Sequence, residues 1–435
     1  MCRSLQILFF LLIGLHSVSA QETFNTMFYN VLNFPDQLPI NRIQYLELII
    51  DDYNPDIFMI CELNNETGAN TILSTIQEVN PNYLRATFAH NSSDDDIGDT
   101  NELQNMLYYD STKFSLEIIN PGAAIEDQII IQTNYRDFNH YKLKVNTTDQ
   151  VTNPLFLNVI VGHLKSSSGT TNQNLRLQMV QALETYFDTF APNQYVLLGG
   201  DLNLYTNSEP AFQELIDSDT TNDITFIDPA DRIGSWSNNT SYIDVFTQST
   251  RNAGSGLGGA TGGFDDRFDF IMTTENMQTA SEMSFVDGSY RAYGNNGLVS
   301  CYNQDINSSN CGISDATDEF PSGIREALYN FSDHLPVTLQ LQTDRTLSTP
   351  EYLTTTNFSL IGSNIISDHI KLNVTDTSPT INKLRIINVL GQEVKTISLE
   401  QKGIIIEDVS TLEPGIYFLT TEQLSIEPLK FIKTD

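Results

Sequence analysis

Along this chain, short apolar runs repeatedly begin or end in a carboxylate, an amide or an imidazole, and any fold must satisfy both halves of each. The apolar run demands burial, yet a polar or ionised group carried in with it is costly unless it finds a partner. Six segments have this form: Tyr29-Asn30-Val31-Leu32-Asn33, Ile60-Cys61-Glu62-Leu63, Gly162-His163-Leu164-Lys165-Ser166, Gly199-Gly200-Asp201-Leu202-Asn203, Arg267-Phe268-Asp269-Phe270-Ile271, and Ser332-Asp333-His334 ahead of an apolar run that ends at Leu341. At strand ends they offer two histidines, several carboxylates and side-chain amides to one another.

Between these segments the periodicity alternates. Residues 24–31 and 57–60 read as strands, and Ile43, Leu46, Ile49 and Ile50 mark a helix between them. Residues 70–79 and 175–187 read as helices, with strands at 83–89, 106–109, 141–145, 156–161, 195–198 and 268–272. The mixture predicts an α/β class but leaves open whether the sheet is single and parallel or two sheets are packed together. At 435 residues the chain exceeds what one core usually holds, so two domains are expected. Residues 1–20 read as an export signal: Arg3 starts it, residues 7–13 form the apolar stretch, and Val18-Ser19-Ala20 precedes a cleavage that leaves Gln21 first. No later stretch reaches the roughly 20 apolar residues of a membrane span. The expectation is an exported monomer without stable membrane insertion.

In order and wording, the six segments resemble the endonuclease/exonuclease/phosphatase superfamily, which includes pancreatic-type DNases, abasic-site endonucleases, inositol phosphate phosphatases and bacterial sphingomyelinases. The resemblance spans residues 23–341. It implies a four-layer αββα sandwich, DNase I-like, over residues 21–342. It also implies metal-assisted hydrolysis of a phosphate ester, which requires neutralising developing charge, activating water and handling a poor leaving group.

Within that resemblance each residue acquires an expected role. Glu62 ends an apolar strand and is the natural ligand for a hard cation, Asp333 is the second carboxylate by its match to the family, and Asn30 orients Glu62 or a metal-bound water. The cation expected is Mg²⁺, with Mn²⁺ or Ca²⁺ as alternatives. His334 is the general base, since an unperturbed imidazole titrates near working pH, and Asp269 is its family-matched orienting partner. Asp201 and Asn203, if extended, share a face and present a carboxylate to water and an amide to phosphate. His163, with Lys165 on the same face, serves the phosphate side. Arg136 resembles a phosphate-contacting arginine of DNase-like members or forms a surface pair with Asp137. Glu102 is a candidate acidic partner for His163, out of register with the family strand. His90 and His140 have no such support.

The formal charge of -33 argues against wrapping a polyanion by charge alone, because that mode needs many Lys and Arg contacts to phosphates. Cleavage of nucleic acid remains open, because remote surface charges are screened beyond a Debye length of about 8 Å. The site then requires a divalent cation. A secreted nuclease acting on DNA or RNA is the leading expectation. A sphingomyelinase-like phospholipid phosphodiesterase or a phosphomonoesterase is the enzymatic alternative, disfavoured because the single tryptophan, Trp236, sits in a polar loop rather than an aromatic hairpin. A catalytically silent exported binding module is the alternative of another class.

Residues 343–356 are rich in Thr and Ser and read as a linker, and residues 357–435 show short strands separated by turn signals, as in a small all-β sandwich. Within it, the run from Leu384 through Val394, then Gly415-Ile416-Tyr417-Phe418-Leu419 and Lys430-Phe431-Ile432-Lys433, resembles the C-terminal sorting domain of Bacteroidetes type IX secretion. That resemblance implies engagement with the type IX machinery, export to the surface or medium, and removal of the domain. Ser367-Asp368-His369 repeats the earlier tripeptide but lacks partners, and reads as a turn entering a strand. Cys301 and Cys311 are candidates for a disulfide, and Cys61 reads as a small buried hydrophobe. The acidic run Asp94, Asp95, Asp96 and Asp99 does not have EF-hand spacing and reads as a solvated loop rather than a Ca²⁺ site.

Overall fold

The computed structural model describes residues 21–92, 103–218, 224–348, 358–374, 383–389, 391–398, 403–420 and 428–434. The export signal, the acidic run and Glu102 lie outside the described residues. The chain divides into two compact units between Leu347 and Ser348.

The first unit runs β1 (Glu22–Phe34), α1 (Ile43–Tyr53), β2 (Ile57–Leu63), α2 (Glu66–Val79), β3 (Tyr83–Arg85), β4 (Gln104–Asp110), β5 (Phe114–Leu116), β6 (Ile129–Ile131), β7 (Phe138–Val145), β8 (Leu155–His163), α3 (Thr170–Phe187), β9 (Val196–Asp201), α4 (Pro210–Leu215), β10 (Phe226–Ile227), β11 (Asp269–Thr274), β12 (Ser284–Phe285), β13 (Arg291–Ala292), α5 (Ser322–Phe331) and β14 (Val337–Thr343). One sheet has the order β12-β14-β1-β2-β4-β3, with β13 also on β14. The other has the order β10-β11-β9-β8-β7-β5, with β6 on β7. Each contains one parallel pair, β1 with β2 and β8 with β9. Parallel neighbours need a crossover, which α1 and α3 supply.

The period-2 alternation of the strands sets the layers. In β8, Leu157, Val159 and Val161 join a core shared with Phe28, Met59 and Leu107 of the first sheet. Ile160 points the other way, into a second core with Met179, Val180 and Leu183 of α3 and Phe212 of α4. On the far side of the first sheet, Leu46, Ile49 and Ile50 of α1, Ile72 and Ile76 of α2, and Leu328 and Phe331 of α5 complete the first core. Two sheets packed face to face between helices make the four-layer αββα sandwich, with each fully buried Leu, Ile or Phe contributing roughly 1.5–3 kcal/mol.

Local chemistry accounts for the differences from the sequence expectation. α2 begins at Glu66, ahead of residue 70, because Asn65 caps it by accepting the Gly68 N–H (2.9 Å). β3 stops at Arg85 because the Thr87 N–H turns to Asp127 Oδ2 (2.8 Å). α5 has too short an apolar stripe, Ala327, Leu328 and Phe331, to signal itself. Trp236 is fully buried against Phe212 and Phe270, so it is a core residue despite its polar neighbours in sequence. Cys301 and Cys311 are bridged, and Cys61 is a free, buried thiol.

The second unit holds β15 (Phe358–Leu360), β16 (Ile365–Ile366), β17 (His369–Val374), β18 (Lys383–Asn388), β19 (Glu393–Ser398), β20 (Gly403–Asp408), β21 (Gly415–Thr420) and β22 (Leu429–Lys433). Its three-stranded sheet, β15-β17-β20, and five-stranded sheet, β16-β22-β21-β18-β19, share a core that includes Phe358, Ile370, Leu372, Ile386, Leu419 and Phe431. His369 is exposed at the start of β17.

His140 is buried within β7, with Nδ1 2.8 Å from Tyr186 Oη and Nε2 3.0 Å from Asn158 Oδ1. Burial pushes its pKa down to about 4. The unfolded chain therefore binds the proton first, and stability is lost as pH falls from about 6.5 towards 4. The urea midpoint of the native chain is expected to fall more over this window than that of a His140→Gln variant. At about 1.4 kcal/mol per pKa unit the difference is on the order of 3 kcal/mol. Equal losses in the two chains would contradict it.

Candidate active site

Pairing register brings the six polar segments to one edge of the sandwich. β8 and β9 run parallel and end together, which sets His163 opposite Asp201. β11 runs antiparallel to β9, so its first residue, Asp269, also lies opposite Asp201. In the facing sheet, Asn30 of β1 lies opposite Cys61 of β2, next to Glu62. β14 returns antiparallel to β1 and pairs Val337 with Phe28, which delivers Ser332-Asp333-His334 to the same edge.

Asn30 joins the two sheets. Its Nδ2 donates to Glu62 Oε1 (3.0 Å) and to Asp201 Oδ2 (3.0 Å), and lies 3.4 Å from His334 Nε2. Its Oδ1 accepts the Leu32 N–H (2.9 Å), which fixes the amide's orientation. His334 Nδ1–H donates to Asp269 Oδ2 at 2.7 Å, and Nε2 lies 3.7 Å from Asp201 Oδ2. His163 Nε2 lies 3.5 Å from Asp201 Oδ2 and 3.9 Å from Glu62 Oε1. Two overlapping sets, Glu62 with His163 and Asp201, and Asp201 with Asp269 and His334, each hold their ligand atoms within 4.8 Å of one another.

Backbone distortion contributes to this convergence. Glu62 has φ 58, and Leu32 and Asn33 beside it have φ 48 and 44, so the parallel pair bulges where its register shifts. Positive φ in non-glycine residues costs of order 1–3 kcal/mol each and persists where the surroundings impose it. Here the Asn33 N–H donates to Glu62 Oε2 (3.2 Å). Asn203 also has φ 50, so the expected extended Asp201-Leu202-Asn203 is instead a turn. Its N–H donates to Asp201 Oδ1 (3.1 Å) and its Nδ2 to Leu164 O (3.2 Å), while Leu202 fills the second core. Asn203 therefore braces Asp201 and the His163 segment, rather than standing beside Asp201 on one face.

The site is over-supplied with negative charge. Burial, and then the charge of Asp333, raises the pKa of Glu62. Burial raises Asp201 as well, with Asp269 and Glu62 adding to the shift and His334 opposing it. Burial works against a charged His334, but Asp269, Asp333 and Asp201 outweigh it and raise its pKa well above the usual value. His163 moves the other way, held neutral by burial and by Arg136, His334 and Lys165.

Asp333 lies in neither set of ligand atoms. Its Oδ2 accepts the Ala260 N–H (2.7 Å) and the Gln248 amide (3.4 Å), and its Oδ1 is buried without a hydrogen-bond partner. Residues 253–263, a glycine-rich stretch, are thus fastened to the site. Arg251 Nη1 donates to Gly258 O (2.6 Å), Ser249 Oγ to Ala260 O (2.6 Å), and a Cβ on Gly259 would lie 2.6 Å from Asp333. Gln248 lies 2.5 Å from His334 Nε2, and nothing in its sequence context signals that contact. Arg136 donates to Leu164 O (2.9 Å), and it and Lys165 Nζ lie over the Tyr135 ring at 5.4 and 5.1 Å.

Residues 364–432 match the family described as the secretion system C-terminal sorting domain. This tail directs the chain to type IX export and so to the cell surface or the extracellular space. No helix among the described residues is long and apolar enough to cross a membrane. No curated protein matches the chain. Among solved structures it is similar to the human nocturnin catalytic domain with bound sulfate (12% identity, TM-score 0.42, 74% of this chain and 97% of that one). It is also similar to an endonuclease/exonuclease/phosphatase from Bacteroides vulgatus (15%, 0.43, 74% and 98%) and to truncated Caenorhabditis elegans TDP2 (13%, 0.39, 73% and 97%).

The fastening of the glycine loop predicts unequal effects of two alanines. Gly254 (φ 100) has nothing within 4 Å of an added Cβ, whereas Gly259 (φ 87) meets Asp333. Gly254→Ala should cost roughly 1–2 kcal/mol from left-handed backbone alone. Gly259→Ala should cost about 1–3 kcal/mol more, because the loop must leave the carboxylate. Urea midpoints of the two variants measure this, and identical losses would show that the loop is not fastened there.

Proposed function

We propose that the first unit is a divalent-metal-dependent phosphoesterase of the endonuclease/exonuclease/phosphatase kind, exported to hydrolyse nucleic-acid phosphodiester bonds by attack of water. The reading is carried by one observation: a hydrogen-bonded His334–Asp269 pair beside carboxylates whose charges are only partly offset by protein cations.

The residues fit a hard cation. Glu62, in the set with His163 and Asp201, would hold it, with Asn30 fixing the carboxylate. Asp333, the other predicted ligand, contributes charge near Glu62 while its Oδ2 is engaged by the loop. The ion would supply positive charge against these carboxylates and against the charge that develops on the phosphate.

The chain's own groups do the rest. Asp269 holds the proton of His334 on Nδ1, and with the carboxylates that raise the ring's pKa offset by a cation, Nε2 is left to accept a proton from water. Asp201, 3.7 Å from that nitrogen, accepts a hydrogen bond from the same water and orients it. His163, kept neutral, donates an N–H to a phosphoryl oxygen rather than serving as a strong acid. As water's oxygen bonds to phosphorus the ester P–O bond breaks, and the leaving oxygen takes its proton from solvent, to which His334 returns the one it accepted.

Substrate class follows from charge and burial. Arg136 and Lys165, stacked on Tyr135, concentrate positive charge beside His163 in a chain of net charge -33, which suits a strand with several phosphates. The sphingomyelinase-like alternative finds no membrane-inserting tryptophan, since Trp236 is in the core.

Two experiments test the reading. The full-length chain, offered plasmid DNA, RNA, sphingomyelin and an inositol phosphate, should cleave nucleic acid with Mg²⁺ and cleave nothing in EDTA. Turnover undiminished by chelation, or sphingomyelin as the preferred substrate, would overturn it. Separately, His334→Ala should lose roughly 10² to 10⁴-fold in rate. Asp269→Asn should lose nearly as much, and the double variant little more, because the pair acts as a unit. His163→Ala should multiply with either. Fully independent losses at His334 and Asp269 would remove Asp269 from its role.

A further inference from the structure

His334 has a second partner that neither the motif nor the proposed chemistry accounts for. Gln248 Nε2 lies 2.5 Å from His334 Nε2 and 3.4 Å from Asp333 Oδ2, so one amide spans two members of the Ser-Asp-His tripeptide. The contact falls on the nitrogen left free by Asp269, the one that faces the reacting groups.

The backbone holds Gln248 there. Its N–H donates to Asp266 O (3.0 Å) and its O accepts the Asp266 N–H (2.9 Å), next to the strand that opens with Asp269. On the other flank, Thr247 O accepts the Leu335 N–H (2.7 Å) and the Thr250 N–H donates to Asp333 O (2.9 Å). Thr247 Oγ1 also accepts the Asp269 N–H (3.2 Å). Residues 247–250 are therefore stitched to both chains that carry the His334–Asp269 pair, and Gln248 pairs across to both Asp266 and His334. The segment is braced from behind by the disulfide loop, where the Ile306 N–H donates to Thr250 O (2.9 Å) and Asp305 Oδ1 accepts the Asn252 N–H (2.5 Å).

A ring held at one nitrogen only can swing about that bond. A donor at Nε2 removes the freedom and selects the tautomer with its proton on Nδ1, because an amide N–H needs a lone pair opposite it. We propose that Gln248 is the positioning residue of His334. It fixes the direction of the Nε2 lone pair and the tautomer in the free enzyme, and it yields that lone pair when water and phosphate occupy the site. The inference deepens the proposed hydrolysis and rests on it for its kinetic consequence, but not for its structural one.

The test uses the full-length chain and Gln248→Met, which keeps volume and removes the amide. With bis(4-nitrophenyl) phosphate and Mg²⁺, kcat should fall about 10- to 100-fold with KM changed far less, the usual scale for loss of an orienting partner. Independently, ¹⁵N spectra of histidine-labelled native chain, taken over a pH series that reaches the neutral ring, should show neutral His334 as the Nδ1-protonated tautomer with Nε2 hydrogen-bonded, and Gln248→Met should show mixed tautomers. Unchanged kcat together with unchanged ring shifts would overturn the proposal, as would a neutral native ring that carries its proton on Nε2, even if the variant failed to fold. An inactive native chain whose ring spectrum is as expected would instead count against the hydrolase reading and leave the positioning role standing.

Discussion

The site depends on Asn30, the one side chain among the described residues that hydrogen-bonds carboxylates from both sheets. Glu62 comes from the first sheet and Asp201 from the second, and each accepts one bond from the same Nδ2. Burial raises the pKa of both, with Asp333 adding to the shift of Glu62 and Asp269 and Glu62 adding to that of Asp201. The fold sustains the arrangement by register: a parallel pair in each sheet ends at the same edge, and an antiparallel strand in each begins there. The cost is visible as left-handed backbone at Leu32, Asn33, Glu62 and Asn203. Such strain at a site is retained only where the surrounding layers over-determine it.

The α/β class was legible in the alternating periodicity, whereas the αββα layering and the roles of the polar segments came only with the family resemblance, because the pattern of apolar runs leaves one sheet or two open. Asp269 against His334 is the clearest case: a base needs an orienting partner, the resemblance points to Asp269, and the two are hydrogen-bonded at 2.7 Å. What was not legible is local and non-periodic. The bulge that turns Glu62 towards Asn30 leaves no mark in the run Ile60-Cys61-Glu62-Leu63, and the turn at Asn203 is chemically as compatible with an extended segment. Gln248 and the fastened glycine loop come from long-range pairing of irregular segments, in which neither spacing nor composition signals the partner.

Export and acidity belong together. The sorting tail sends the chain outside, where the Cys301–Cys311 bridge is compatible with an oxidising medium and where divalent cations are at hand. A strongly acidic chain has little general attraction for polyanions, so under the proposed function discrimination would fall to Arg136 and Lys165 beside the site and to the cation it would hold. The two units keep these tasks apart: the second carries the address, and among the described residues its exposed His369 belongs to no cluster that could hold a metal.

The central claim is that Glu62 sits in a cluster of carboxylates in need of a cation. Thermal unfolding at neutral pH, followed as Mg²⁺ is titrated from an EDTA-treated start, tests it without reference to any substrate, since an ion that binds only the folded state raises the midpoint by mass action. The account predicts a saturable rise for the native chain and a much smaller one for Glu62→Gln. A native midpoint that ignores Mg²⁺, or an equal rise in both chains, would contradict it.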